Sequence, residues 1–299
     1  MNKTAEKKRP PLSALYRLSP AGHIIAAVSA ALILLHLLTR DNHALMVWAS
    51  ERLVRPVHRA LAVLNDHLPF SVAELLIGLA VITVLVYIIY TIIKLIRCGG
   101  RLKRLYAAVI NLLAAGLAVY AGFCMLWGVY YYGDDFMTRS GLKNDNISVE
   151  QLETVTEYFA ALVNEYSSQV PRDADGNYVA DRDAILRRSN EVYANVEETL
   201  PCLSGPAVRA KGVYFSRVMS YTDFTGFFFP FTAEANVNTD FPPALFASTV
   251  AHELAHQRGV AKEQEANFAA VLASLEYGDA EYCYSACVLA YTHLGNALY

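Results

Sequence analysis

Residues 249–259 read TVAHELAHQRG, and this stretch decides how the C-terminal part of the chain folds. This stretch contains four apolar or small residues at helical spacing, which predict a buried helix: Val250, Ala251, Leu254 and Ala255. His252 and His256 are four residues apart, a spacing that places both imidazoles on one face of a helix, one turn apart. Neutral imidazole is a ligand that suits zinc. The stretch therefore predicts a helix that carries two ligands of a single Zn²⁺ ion.

Glu253 follows the first of these histidines and points about 100° further around the same helix. A carboxylate in that direction can act as a general base without occupying a coordination position, as metal-assisted hydrolysis requires. The alternative is a surface helix with two unrelated histidines. The apolar neighbours argue against an exposed helix, and two histidines and a glutamate in a buried helix need a reason to be there.

A third protein ligand is expected, because catalytic zinc sites use three and leave the fourth position to water. Gly259 is suited to a left-handed C-cap that reverses the chain, so that a second helix begins near Ala261 and packs back on the first. That helix offers two alternative carboxylates, Glu263 and Glu265. We favour Glu263, which shares a face with small residues, although Glu265 lies nearer the height of the metal in a simple hairpin. Asn267 is expected to hydrogen-bond a ligand histidine.

The chain before about residue 128 is far more apolar than the remainder, and it accounts for the overall hydrophobic content of 55%. Three segments are predicted to cross a membrane, at about residues 21–38, 75–93 and 105–127. Ser71 and Glu74 form a capping-box pattern just before the second segment, so a helix should begin there. The sequence thus predicts a membrane region in residues 1–128 and a globular domain in residues 129–299.

Basic residues flank the apolar segments unevenly. They lie in the N-terminal tail and in the connector between the second and third segments: Lys3, Lys7, Lys8, Arg9 and Arg17, and then Lys94, Arg97, Arg101, Lys103 and Arg104. The positive-inside rule predicts that both are cytoplasmic, which places residues 129–299 outside the cytoplasm of a multi-pass plasma-membrane protein. Residues 40–70 are either an interfacial helix or a plain connector.

Charge and cysteine content exclude other classes. A net charge of −3 gives no basic surface for nucleic acid, so we expect no nucleic-acid partner. The five cysteines fit no zinc-ribbon spacing, and small buried residues are favoured over a disulfide that involves Cys202.

Four stretches carry a family resemblance: PFSVAEL at 69–75, FPFTAEANVN at 229–238, HELAHQRG at 252–259 and EQEANF at 263–268. In this order the chain resembles the bacterial family catalogued as domain of unknown function 3810, whose members have N-terminal spans and an HExxH domain. The resemblance implies a zinc-dependent, peptidase-like protein without an established substrate. The expected architecture is mainly α: three transmembrane helices, then a zincin-like α+β domain with an HExxH helix and a short edge strand.

In zinc peptidases of this design an edge strand before the zinc helix pairs with an extended substrate. The aromatic stretch of residues 213–238 predicts one or two short strands, and residues 227–238 would take this role. Its alternating polar residues would either line the cleft or cap turns: Glu234, Asn236 and Asn238. Tyr284 and His293 are candidate oxyanion donors, with aromatic packing as the alternative.

The expected function is that of a membrane-anchored zinc metallopeptidase that acts on extracytoplasmic or membrane-proximal peptides or proteins. A rival is a catalytically silent, zinc-containing sensor or scaffold that binds a peptide in the membrane. Glu253 favours the enzyme, because a binding module has no use for a base. An intramembrane protease is disfavoured, since Arg258, Lys262 and Glu263 crowd the motif with charge.

Overall fold

The computed structural model describes residues 15–143 and 146–299. The basic residues Lys3, Lys7, Lys8 and Arg9, used above for orientation, lie outside the described residues. The chain is mainly helical, as predicted, with one small sheet. It forms two compact units: Met1–Asp41 with Leu76–Met125, and Asn42–Leu75 with Leu126–Tyr299.

The elements follow one another along the chain as separate helices and short strands. In chain order the α-helices are α1 (Pro20–Thr39), α2 (His43–Ala49), α3 (Arg55–Asp66), α4 (Val72–Arg97), α5 (Arg101–Leu126), α6 (Phe136–Ser140), α7 (Val149–Ser167), α8 (Arg182–Arg188), α9 (Val196–Thr199), α10 (Ser216–Ser220), α11 (Pro243–Gln257), α12 (Glu263–Tyr277) and α13 (Ala280–Leu298). A π-helical turn (Ser50–Val54) joins α2 to α3, and 3₁₀ turns occur at Gly128–Tyr131, Ser189–Glu191 and Pro201–Leu203. The strands are β1 (Lys211–Val213), β2 (Gly226–Phe229) and β3 (Glu234–Asn238).

Among the described residues, the first unit consists mainly of three helices that are long and apolar enough to cross a membrane: α1, α4 from Leu76 onward, and α5. They include the predicted segments 21–38 and 75–93 in full, and the third predicted segment except its last residue, Trp127. Three polar side chains in this unit bind one another: Ser19 Oγ donates to Asn111 Oδ1 at 2.5 Å, and Asn111 Nδ2 donates to the Tyr87 hydroxyl at 2.8 Å. Such pairing satisfies polar groups where water is scarce.

The second unit includes residues 42–75, which were grouped above with the membrane region. Here they cluster with the residues that carry the HExxH motif. His58 of α3 packs edge-on against Phe228, with ring centroids 5.3 Å apart, and Asn65 Nδ2 donates to the Thr232 carbonyl at 2.8 Å. These contacts make α3 part of the packing around the motif.

The sheet has the order β1-β3-β2, with β3 in the centre. β3 pairs in parallel with β1 and antiparallel with β2. The predicted stretch of residues 213–238 contains β2 and β3, in agreement with the one or two strands expected, and β1 ends at its first residue. Its edge strand beside the motif helix is β2, and the polar residues of β3 belong to a strand that is paired on both sides.

The motif helix α11 lies in the core of the second unit. Its apolar residues Val250 and Leu254 are fully buried, as predicted. Gly259 has φ of +79°, a left-handed conformation, and its N–H donates to the His256 carbonyl at 2.9 Å. This conformation ends α11 and reverses the chain into α12. All five cysteines of the chain are free.

Candidate metal centre

The two histidines of α11 lie one turn apart and face the same point. Their ring centroids are 4.7 Å apart and the ring planes are nearly perpendicular. Nε2 of His252 lies 3.1 Å from Oε2 of Glu263, and Nε2 of His256 lies 3.6 Å from Oε1. One ligand atom from each of these three residues falls within 4.8 Å of the others, which is compact enough for one ion to contact all three.

The structure brings Glu263, and not Glu265, to the histidines. Glu265 is buried and accepts a hydrogen bond from the Phe136 N–H at 2.9 Å. The Glu263 side chain is 70% exposed and reaches both imidazoles across the start of α12. Residues two apart on a helix point about 200° away from each other, so only one of the two can face α11.

Each histidine is oriented by a hydrogen bond at its other ring nitrogen. The Nδ1–H of His252 donates to Asn267 Oδ1 at 2.7 Å, the role predicted for Asn267. The Nδ1–H of His256 donates to the Val260 carbonyl at 2.6 Å. Because carbonyl oxygens only accept, both protons sit on Nδ1 and both Nε2 lone pairs are free to bind a metal.

Glu253 lies next to this group in a buried position. It is 3% exposed, and its Oε2 has no hydrogen-bond partner among the described residues. Burial raises the pKa of Glu253, whereas the neighbouring imidazoles of His252 and His256 lower the pKa of Glu263. Two carboxylates at one site are thereby separated in basicity, so that Glu263 is suited to ligation and Glu253 to proton transfer.

The group lies on a cleft of about 400 Å³. It is lined by β2 and the residues before it, from Asp223 to Phe228, and by Trp127 and Tyr131. The Trp127 ring stands edge-on to His256, with centroids 5.8 Å apart, and its Nε1–H donates to the Tyr131 hydroxyl at 3.2 Å.

Sequence reasoning missed Trp127 and Tyr131 as site residues. The available signal was the aromatic cluster in the 127–132 segment, WGVYYY, directly after the third apolar segment. Nothing in local periodicity relates that cluster to a motif more than a hundred residues further along the chain.

The prediction that the polar residues of β3 line the cleft is wrong. Glu234, Asn236 and Asn238 are all buried. The Glu234 carboxylate accepts from four donors at 2.7–3.1 Å: the N–H groups of Val72 and Ala73, the Thr232 hydroxyl and Lys211 Nζ.

The two asparagines of β3 are also occupied by structural hydrogen bonds. Asn236 Oδ1 accepts from the Ser71 hydroxyl at 2.6 Å, and Asn238 Nδ2 donates to the Phe224 carbonyl at 2.9 Å. A central strand has no free edge or open face here, so its polar side chains fix neighbouring segments instead of binding a substrate.

Neither candidate oxyanion donor of α13 lines the cleft among the described residues. Tyr284 packs edge-on against Tyr178, with ring centroids 5.4 Å apart, which is the aromatic packing given as its alternative. Asn267 Nδ2 donates to His293 Nε2 at 3.3 Å. His293 therefore lies behind the His252–Asn267 pair and does not face the cleft.

The sequence model of a family described as a protein of unknown function, DUF3810, matches residues 50–299. The chain belongs to this family. The DUF3810 match extends from the π-helical turn to the C-terminus and so covers the motif, the cleft and most of the second unit. No curated protein and no solved structure matches the chain significantly.

The residues of this DUF3810 chain fit a zinc ion by their chemistry. Two imidazole nitrogens and one carboxylate oxygen converge on one point, and both imidazoles are oriented by a second hydrogen bond. This donor set is typical of catalytic zinc, which takes three protein ligands and leaves one position for water. The buried Oε2 of Glu253, which has no hydrogen-bond partner among the described residues, belongs to the same cleft as these three residues.

Proposed function

We propose that this protein is a membrane-anchored, zinc-dependent metallopeptidase with a zincin-like domain, which hydrolyses peptide bonds of extracytoplasmic or membrane-proximal proteins or peptides. The observation that supports this best is the convergence of His252, His256 and Glu263 beside the buried carboxylate of Glu253. A single Zn²⁺ held by the first three would supply Lewis-acid polarisation of the scissile carbonyl and a more acidic water.

Glu253 is the general base in this proposal. It takes a proton from the attacking water and then delivers that proton to the amine nitrogen that leaves. Burial favours its protonated form, and the raised pKa makes proton uptake easier than for an exposed glutamate. A peptide-binding sensor or scaffold, the rival function, has no need for a buried base at this position.

Tyr131 is proposed to stabilise the charge that develops on the substrate oxygen. Its hydroxyl accepts a hydrogen bond from Trp127 Nε1, so its own proton remains available to a substrate in the cleft. A donor aimed at the developing oxyanion is typically worth about 10²–10³ in rate. This role replaces the one predicted for Tyr284 and His293.

The edge strand β2 is proposed to bind the substrate backbone. One of its edges pairs with β3, and Gly226, Phe227 and Phe228 line the cleft. An extended peptide added to the second edge would gain main-chain hydrogen bonds that depend little on its sequence.

We place the metal centre outside the cytoplasm and the N-terminus inside it, in the plasma membrane. The basic connector between α4 and α5 supports this orientation. Residues 42–75 and 126–299 belong to one compact unit. Both segments must then lie on the same side of the bilayer. This agrees with a hairpin of α4 and α5, because the chain would leave that side through α4 and return to it through α5.

The proposal is tested on the full-length protein with Glu253→Gln. Zinc content is measured by elemental analysis, and hydrolysis with a general peptide library. The variant should retain one zinc per chain and lose hydrolysis, whereas Glu263→Gln should lose zinc as well. Wild-type protein without zinc, or hydrolysis that persists in Glu253→Gln, contradicts the proposal. Zinc and peptide binding without cleavage by the wild type would favour the sensor.

A further inference from the structure

A cluster of exposed aromatic and apolar side chains surrounds the short helix α10, between β1 and β2. We call it the aromatic patch, and its members are Tyr214, Phe215, Val218, Tyr221 and Phe224. Their exposed fractions are 87%, 59%, 60%, 91% and 59%. Tyr214 and Phe215 contact each other edge-on, with ring centroids 5.2 Å apart. Exposed apolar side chains that are grouped in this way mark an interaction site more often than scattered ones do.

The aromatic patch is attached to the first turn of α4. The Glu74 carboxylate accepts hydrogen bonds from the Tyr214 N–H at 2.9 Å and from the Phe215 N–H at 2.7 Å. Glu74 itself is held by Ser71, whose hydroxyl accepts from the Glu74 N–H at 2.9 Å. The uninterrupted apolar run of α4 begins at the next residue, Leu75. The patch is therefore fixed at the level where this helix would enter a bilayer.

The chemistry of the patch matches the boundary between lipid headgroups and acyl chains. Tyrosine and other amphipathic aromatic residues are enriched at that level, because one end of the ring is apolar and the other is wet. The charged members of the segment, Arg217 and Asp223, are both exposed. Arg217 has a long side chain that can keep its charge among headgroups while its stem stays in apolar surroundings.

We infer that the aromatic patch inserts into the interfacial layer of the bilayer, beside the point where α4 enters it. Asp223 and Phe224 also line the cleft of the metal centre. One rim of the cleft is thus held at the membrane surface, where it would receive chain segments that emerge from the bilayer. The inference depends on α4 crossing a membrane and does not depend on peptidase activity.

Quenching of tryptophan fluorescence by brominated lipid tests this insertion. Tyr221→Trp and Tyr158→Trp are each made in the full-length protein and reconstituted in phosphatidylcholine vesicles with ordinary or mid-chain brominated acyl chains. Tyr158, on α7, is the matched control because it is also an exposed tyrosine, at 58%. The signal of the parent protein, from Trp48 and Trp127, is measured in both lipids and subtracted.

Brominated lipid should remove more than about half of the emission added at position 221, because interfacial side chains reach the upper acyl chain. The emission added at position 158 should change little. Equal quenching at the two positions, or no lipid quenching at 221, overturns the inference. This experiment measures neither zinc content nor hydrolysis. The membrane inference can therefore fail while the proposed peptidase function stands, and the peptidase function can fail while the membrane inference stands.

Discussion

Gly226 packs so closely on Glu253 that a β-carbon at position 226 would lie 2.6 Å from Oε1 of that glutamate. The same atom would lie 2.9 Å from the Asn236 carbonyl, a backbone atom that cannot move away easily. Residue 226 begins the edge strand, so the absence of a side chain there lets β2 approach the proposed general base. The position of the Glu253 carboxylate and the position of β2 are therefore set by one contact.

Gly226→Ala should displace Glu253 and lower kcat by roughly 10- to 100-fold, since a displacement of about 1 Å at a catalytic group has an effect of this size. Zinc content should not change. Gly295→Ala in α13 is the matched control, because a β-carbon there meets nothing within 4 Å. Peptide hydrolysis and elemental analysis are measured on all three proteins. Full activity in Gly226→Ala would show that this contact does not position the base.

Glu263→Gln and Glu265→Gln should have different effects, although the two residues are neighbours on one helix. Loss of the charged ligand in Glu263→Gln should weaken zinc binding by more than about 100-fold. Glu265→Gln should keep zinc and lose about 1 kcal/mol of stability, because its carboxylate accepts from the Phe136 N–H. Competition with a zinc chelator and thermal unfolding separate the two. Loss of zinc in Glu265→Gln alone would reverse the assignment.

Glu234→Gln should lower stability and leave the cleft intact. The charged carboxylate accepts from two backbone N–H groups at the start of α4, and it pairs with Lys211 at 2.8 Å. Its neutralisation leaves a buried ammonium without a counter-charge, at a cost of about 3 kcal/mol. The melting temperature should fall, and KM for a cleaved peptide should stay the same. An unchanged melting temperature with a raised KM would restore Glu234 as a substrate-binding residue.

His58 should make the second unit less stable in acid. Burial lowers the pKa of His58 from 6.5 to about 4, and a hydrogen bond with the Pro230 backbone only partly opposes this. The unfolded chain then binds a proton more readily than the folded one between these two values. The stabilisation is complete above pH 6.5 and is lost as the pH falls towards 4, by roughly 3 kcal/mol at pH 4.

His58→Phe removes this titrating group and keeps a ring beside Phe228, which packs on His58. Melting temperatures of the wild type and the variant are compared from pH 7 to pH 4. The difference between them should shift in favour of the variant as the pH falls. A constant difference across this range would mean that His58 does not titrate on unfolding.

Local sequence patterns determined the helix that carries the two histidines, its C-terminal end and the three long apolar helices. The four-residue spacing of His252 and His256 placed both imidazoles on one helical face, and Gly259 ended that helix in a left-handed turn. The three apolar segments became helices long enough to cross a membrane. Helical periodicity, a C-cap and an apolar run depend on residues within a few positions of one another, so the sequence states them directly.

Tertiary structure alone decided which polar groups meet. Glu74 completes no capping box, because its carboxylate binds the N–H groups of Tyr214 and Phe215, 140 and 141 residues away. The choice of Glu263 over Glu265, the burial of Glu234 at the start of α4 and the place of Trp127 in the cleft are decided in the same way. Each depends on how distant segments pack, and packing is determined by the shape and burial of whole surfaces, which no local spacing encodes.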